Sequence, residues 1–110
     1  MSVTIKKNTI IMTRADTLLT TISITDSEGN PYEPDVTDEL RFAMKRNYDD
    51  DDVLVYKIIP TDTMLLRVDS QDTKQLEQGV FYYYDIQLTY GDGIVDTIIS
   101  GKLKLTPEVE

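Results

Sequence analysis

The chain has 110 residues, 20 of them acidic and 11 basic, for a formal net charge of −9. That length suits one hydrophobic core, so one domain over residues 1–110 is expected, and the acidic balance opposes nucleic acid and anionic membrane surfaces as partners. Cys and His are both absent, which removes disulfides, thiolate metal sites, cysteine nucleophiles and the usual general base near neutral pH.

Met1 to Asn8 carries Lys6 and Lys7 without an apolar stretch behind them, and no run approaches the roughly 20 apolar residues of a membrane span, so a soluble chain is expected. Asn8 to Thr13 is a short strand candidate. From Thr17 to Thr25 the residues Leu18, Ile22 and Ile24 share one face and Thr21, Ser23 and Thr25 the other, as a half-buried strand requires. Asp26 to Pro31 then reads as a turn, with Gly29 free to take positive φ and Pro31 fixing its own.

Glu39 to Asn47 alternates again, Leu40, Phe42 and Met44 inward against Arg41, Ala43 and Lys45 outward. The run Asp49 to Asp52 interrupts pairing, and Val53 to Ile59 resumes a strand that Pro60 ends, so Arg41 to Ile59 is expected to form a hairpin. Thr63 to Asp69 supplies a strand with Met64, Leu66 and Val68 on one face. Ser70 to Leu76 is the one helical segment, capped by Ser70, favoured by Asp72 and stopped by Gly79.

Val80 to Tyr90 is the strongest strand, with Tyr82, Tyr84, Ile86 and Leu88 on the inner face. Gly91-Asp92-Gly93 closes a hairpin onto Ile94 to Leu105, which turns Val95, Ile99, Leu103 and Leu105 to one side and is expected to bulge or bend at Gly101. Pro107 ends that strand before an acidic tail. About seven strands at this spacing, without a βαβ rhythm, point to an all-β, antiparallel immunoglobulin-like sandwich with one short helical turn.

No catalytic chemistry is legible. Asp49 to Asp52 offers the carboxylates calcium prefers, but it lacks the turn Gly and terminal Glu of an EF-hand loop and reads as a solvated hairpin tip. Without His no ordinary Ser triad forms, and neither a nucleophile elbow nor a phosphate-binding glycine loop occurs. No cofactor, metal or catalytic residue is expected, and the chain is read as a non-enzyme. In Phe81-Tyr82-Tyr83-Tyr84 the strand period leaves Phe81 and Tyr83 on the outer face, where aromatics suit protein contact, and these two are the candidate contact residues.

Three segments carry a family resemblance. Asp26-Ser27-Glu28-Gly29-Asn30-Pro31-Tyr32, Gly79 to Leu88 and Asp92 to Gly101 resemble small β-sandwich proteins of tailed-phage and prophage structural modules, over roughly residues 10 to 106. They are similar to the N-terminal domain of phage baseplate upper proteins. The resemblance implies a virion tail or baseplate component, made in the host cytoplasm, whose partners are other phage structural proteins or further copies of itself. A carbohydrate-binding or adhesin-like module that recognises cell-surface glycans through exposed Tyr and Asp is the alternative.

Overall fold

Alternating burial sets where the chain forms strands in the computed structural model, which describes residues 3–6, 9–25 and 28–107. In chain order the elements are β1 (Val3–Lys6), β2 (Thr9–Thr13), β3 (Leu18–Thr21), β4 (Glu39–Lys45), β5 (Val55–Ile59), β6 (Leu65–Val68), α1 (Ser70–Lys74), β7 (Phe81–Thr89) and β8 (Val95–Thr106). Asp26 and Ser27 of the first expected turn and the acidic tail beyond Pro107 lie outside the described residues.

The strands form a six-stranded sheet in the order β1-β2-β8-β7-β4-β5 and a two-stranded sheet of β3 and β6. The fold is all-β as expected. The sheet is mixed rather than purely antiparallel, because β2 runs parallel to β8, from Thr9 opposite Lys102 to Thr13 opposite Thr106. Alternation specifies which face a residue takes, not which way its neighbour runs, so the sequence was silent on this pairing. After β2 the chain crosses to the smaller sheet as β3, leaving β2 to lie along the last strand. The antiparallel β1, paired with β2, was not anticipated either.

The inner faces meet in one hydrophobic cluster. Leu40, Phe42 and Met44 of β4, Tyr82, Tyr84, Ile86 and Leu88 of β7, and Leu103 and Leu105 of β8 pack with Leu18 of β3 and Leu66 and Val68 of β6. Every inward residue expected on β4 and β7 is buried. Ile22 and Ile24 are buried as well, although β3 ends at Thr21. Beyond that point Ile22 donates its N–H to the Met64 carbonyl and Ile24 accepts from the Tyr32 N–H, so the chain stays extended without a full ladder. Met64 packs against the core with φ of 56°, a left-handed kink that delays the start of β6 to Leu65.

Three local expectations need correction. The N-cap of α1 is Asp69, not Ser70, and its N–H donates to the Asp72 carboxylate at 2.8 Å. The helix ends at Lys74, so Gly79, with φ of 83°, instead shapes the turn into β7 and donates its N–H to the Leu105 carbonyl. In β8 the irregularity lies at Ile98: Ile86 pairs with Ile99 but Gln87 with Thr97, whereas Gly101 pairs in register with Tyr84. The bulge reverses the strand phase, which leaves Val95 exposed instead of sharing a buried face with Leu103.

Two cross-links fix α1. The Arg14 guanidinium donates to the Leu76 carbonyl at 2.9 Å and to the Lys74 carbonyl, capping the helix from a segment far away in sequence. Lys57 occupies an inward position of β5, opposite Phe42, and its ammonium lies 2.8 Å from Asp72 and 3.8 Å from Asp69. A lysine thus sits on an inner phase by running its stem along the core and its charge to the helix start.

Candidate binding face on the six-stranded sheet

The smaller sheet and α1 pack on one face of the six-stranded sheet, and no described strand or helix covers the other. Outward positions of β7 and β4 supply its centre: Phe81, Tyr83, Asp85 and Gln87 beside Lys45, Ala43 and Arg41. β8 adds Lys104 opposite Phe81 and Lys102 opposite Tyr83. On the other side β5 sets Tyr56 opposite Ala43 and Ile58 opposite Arg41.

Phe81 and Tyr83 stand on this face as expected; Phe81 is 39% exposed and Tyr83 is half-buried. The Lys102 ammonium lies 5.5 Å from the Phe81 ring centroid and 5.9 Å from that of Tyr83, and the Lys104 ammonium lies 5.4 Å from Phe81. Cations over ring faces order flexible side chains and make the strip both apolar and positive. Arg46 donates to the Phe81 carbonyl at 2.6 Å, with its guanidinium 5.7 Å from the ring centroid of the inward Tyr82. A chain of net charge −9 therefore presents a locally basic aromatic surface.

Next to this strip lies a depression of about 410 Å³. Ala43 forms its floor, since a methyl group sits there among the long side chains of Arg41, Lys45 and Tyr56. Arg41 reaches across β4 to β7, its guanidinium 3.1 Å from the Asp85 carboxylate and 6.0 Å from the Tyr56 ring centroid. Tyr48, from the loop after β4, stacks on Tyr83 with centroids 4.4 Å apart. Sequence alone missed Tyr48, Tyr56, Arg41 and Lys102, because their relation to Tyr83 depends on which strands pair. Only the outward phase of Arg41, Ala43 and Lys45 was readable.

The Asp49 to Asp52 run forms part of a turn in which Asp50 accepts from the Asn47 N–H and donates its own to the Asn47 carbonyl. Among the described residues no three carboxylates converge to hold a metal ion, and no helix is long and apolar enough to cross a membrane.

At the end of the molecule away from the strip, Asp38 organises the loops. It accepts from the Tyr32 hydroxyl at 2.7 Å, the Asp35 N–H at 3.1 Å and the Gly91 N–H at 3.1 Å. The hydrogen bond to Asp38, with burial second, pushes the Tyr32 phenol up to about 12. Burial, followed by a hydrogen bond to Asp96, also raises Tyr90, which meets Tyr32 edge to face. Thr37 holds Asp35 below the ordinary carboxylate value through side-chain and backbone hydrogen bonds, and Arg67 does the same for Asp69. These contacts brace turns; none lies at the depression.

Comparison with protein-family models, with curated proteins and with solved structures finds no match to this chain.

Proposed function

We propose that the chain is a structural or adaptor protein of a phage or prophage tail or baseplate, an immunoglobulin-like module that joins the virion through protein–protein contacts. The observation that carries this reading is the uncovered strip of Phe81 and Tyr83 with Lys102 and Lys104 over their rings. Aromatic side chains are enriched at protein interfaces and among the residues that carry binding energy, and the lysines beside them add a positive potential that orients a partner. The partner that fits is a protein surface presenting acidic and apolar residues, since the patch is positive on an otherwise acidic chain.

The resemblance of Gly79 to Leu88 and Asp92 to Gly101 to phage structural modules supports the same reading, because both segments contribute strands to this sheet. Its immunoglobulin-like character rests on two layers around one core, with the parallel β2 and β8 pair as the departure. The test is incorporation into particles. Tails purified from a strain that carries the gene should contain the chain, and Phe81→Ala with Tyr83→Ala should deplete it at least tenfold while the free variant keeps its circular dichroism. Tails without the wild-type chain, or equal incorporation of the double variant, would overturn the reading.

A further inference from the structure

The face carries two chemically different regions. Around Phe81 the surface is apolar and cationic, whereas the depression over Ala43 has aromatic walls and a floor bearing a fixed ion pair. Tyr56 is 52% and Tyr48 61% exposed, so both present ring surface to a ligand, and Tyr83 continues the wall begun by Tyr48. Arg41 and Asp85 are each less than half exposed and bind one another at 3.1 Å through a single carboxylate oxygen. That contact uses one guanidinium nitrogen and one carboxylate oxygen, so Arg41 keeps further N–H donors and Asp85 its second oxygen, and both residues line the depression with Gln87, whose amide donates to Thr97.

An apolar side chain lowered onto this floor would bury an ion pair without compensating hydrogen bonds, which is costly. A phosphate would meet the Asp85 carboxylate. A pyranose ring satisfies both halves of the site: its C–H face packs on an aromatic ring, and its adjacent hydroxyls each donate and accept. The cavity of about 410 Å³ lies within the range of small-molecule sites, which start near roughly 300 Å³. We infer that the depression over Ala43 is a saccharide-binding site, which takes one pyranose ring against Tyr48, Tyr56 and Tyr83 with its hydroxyls on the Arg41–Asp85 pair.

This goes beyond the assembly role; the two share Tyr83, and the other residues tell them apart. Ala43 and Tyr56 belong to the depression, whereas Phe81, Lys102 and Lys104 belong to the basic strip. Ala43→Gln fills the floor from an outward position of β4 and leaves the buried Phe42 and Met44 untouched. Asp85→Asn keeps the shape but removes the charge.

The experiment is titration of the isotope-labelled full chain with methyl glucoside, methyl galactoside, methyl mannoside, N-acetylglucosamine and glucuronate, read by amide chemical shifts. At least one sugar should move the amides around Ala43, Tyr56 and Asp85 saturably. Ala43→Gln and Tyr56→Ala should each weaken that binding at least tenfold, and Asp85→Asn severalfold, with dispersed spectra retained. Glucuronate binding best would mark an acidic glycan as the natural ligand, and a neutral glycoside binding best a neutral one. No saturable shift with any of the five, shifts centred elsewhere, or binding undiminished in Ala43→Gln would overturn the inference. Particle incorporation of Ala43→Gln should stay at the wild-type level, so failure here leaves the assembly reading standing.

Discussion

The Tyr48 ring packs against the Tyr83 ring with centroids 4.4 Å apart, which pins the loop between β4 and β5 onto the outer face of β7. Such a pair contributes about 0.5–1.5 kcal/mol beyond its buried area, and the exposure of Tyr48 places it at the lower end. Tyr48→Ala should therefore lower unfolding free energy by only about 0.5 kcal/mol while amides of residues 47–52 exchange with solvent several times faster. Unchanged exchange in that loop would mean that the ring contact does not hold it.

Lys57 and Asp72 make the corresponding link on the inner side, at 2.8 Å. Both side chains are about a quarter exposed, so solvent screening limits the pair, and Lys57→Ala should cost about 1 kcal/mol. The loss should concentrate in α1, seen as faster exchange at residues 72–76. The neighbouring Asp69 adds a pH signature. Its carboxyl is held below 3.8 in the folded chain, chiefly by Arg67, so its contribution is present above that value and fades as pH falls below it. In Arg67→Ala the acid limb of a stability profile should lose this component.

Tyr32 provides the alkaline counterpart. Its folded-state value is raised to about 12 from 10, so the neutral phenol is favoured by folding. That contribution is intact below pH 10 and is lost as pH rises through about 12. Absorbance titration should show a late-ionising component, shared with the raised Tyr90 and Tyr84, whose amplitude falls in Tyr32→Phe; an unchanged late amplitude in that variant would contradict the Tyr32–Asp38 hydrogen bond.

Ala15 has φ of 72°, a conformation that costs a residue with a Cβ about 1–2 kcal/mol. Glycine removes that strain but adds about 0.4–1 kcal/mol of unfolded-state entropy. Ala15→Gly should therefore stabilise by roughly 0.5 kcal/mol, measured as a higher denaturant midpoint at constant slope.

Phe42 has no exposed surface and packs 5.4 Å, centroid to centroid, from Tyr84. Phe42→Ala should cost about 3–5 kcal/mol in denaturant unfolding. A loss under 1 kcal/mol, the scale of a surface change, would place the core elsewhere.

Burial was legible in the sequence wherever strand period two ran undisturbed. Tyr82, Tyr84, Ile86 and Leu88 face inward on β7 and Phe81 and Tyr83 outward, because alternate side chains must point oppositely. The same reasoning failed at Val95, where one extra residue at Ile98 reversed the phase, and at β2, whose direction beside β8 leaves no trace in its alternation. Half of the candidate site was readable in the same limited way. Arg41 and Ala43 had to point outward, but Tyr56 became their neighbour only through pairing of β4 with β5, and Asp85 only through pairing with β7. Lys57 misleads a pattern reader for another reason: a long stem lets a charged residue occupy an inward position.

In the proposed assembly role, the part of the outer face that meets the partner is the strip of Phe81 and Tyr83 with Lys102 and Lys104, while the depression over Ala43 stays open. Hydroxyl-radical footprinting of the chain, free and within purified tail particles, reads that face residue by residue. With that strip covered by the partner, oxidation of Phe81 and Tyr83 falls at least fivefold in particles while Tyr32 and Tyr90, at the loop end, change little. Equal labelling of Phe81 and Tyr83 in both states, with protection confined to the loop end, would contradict this role of the strip.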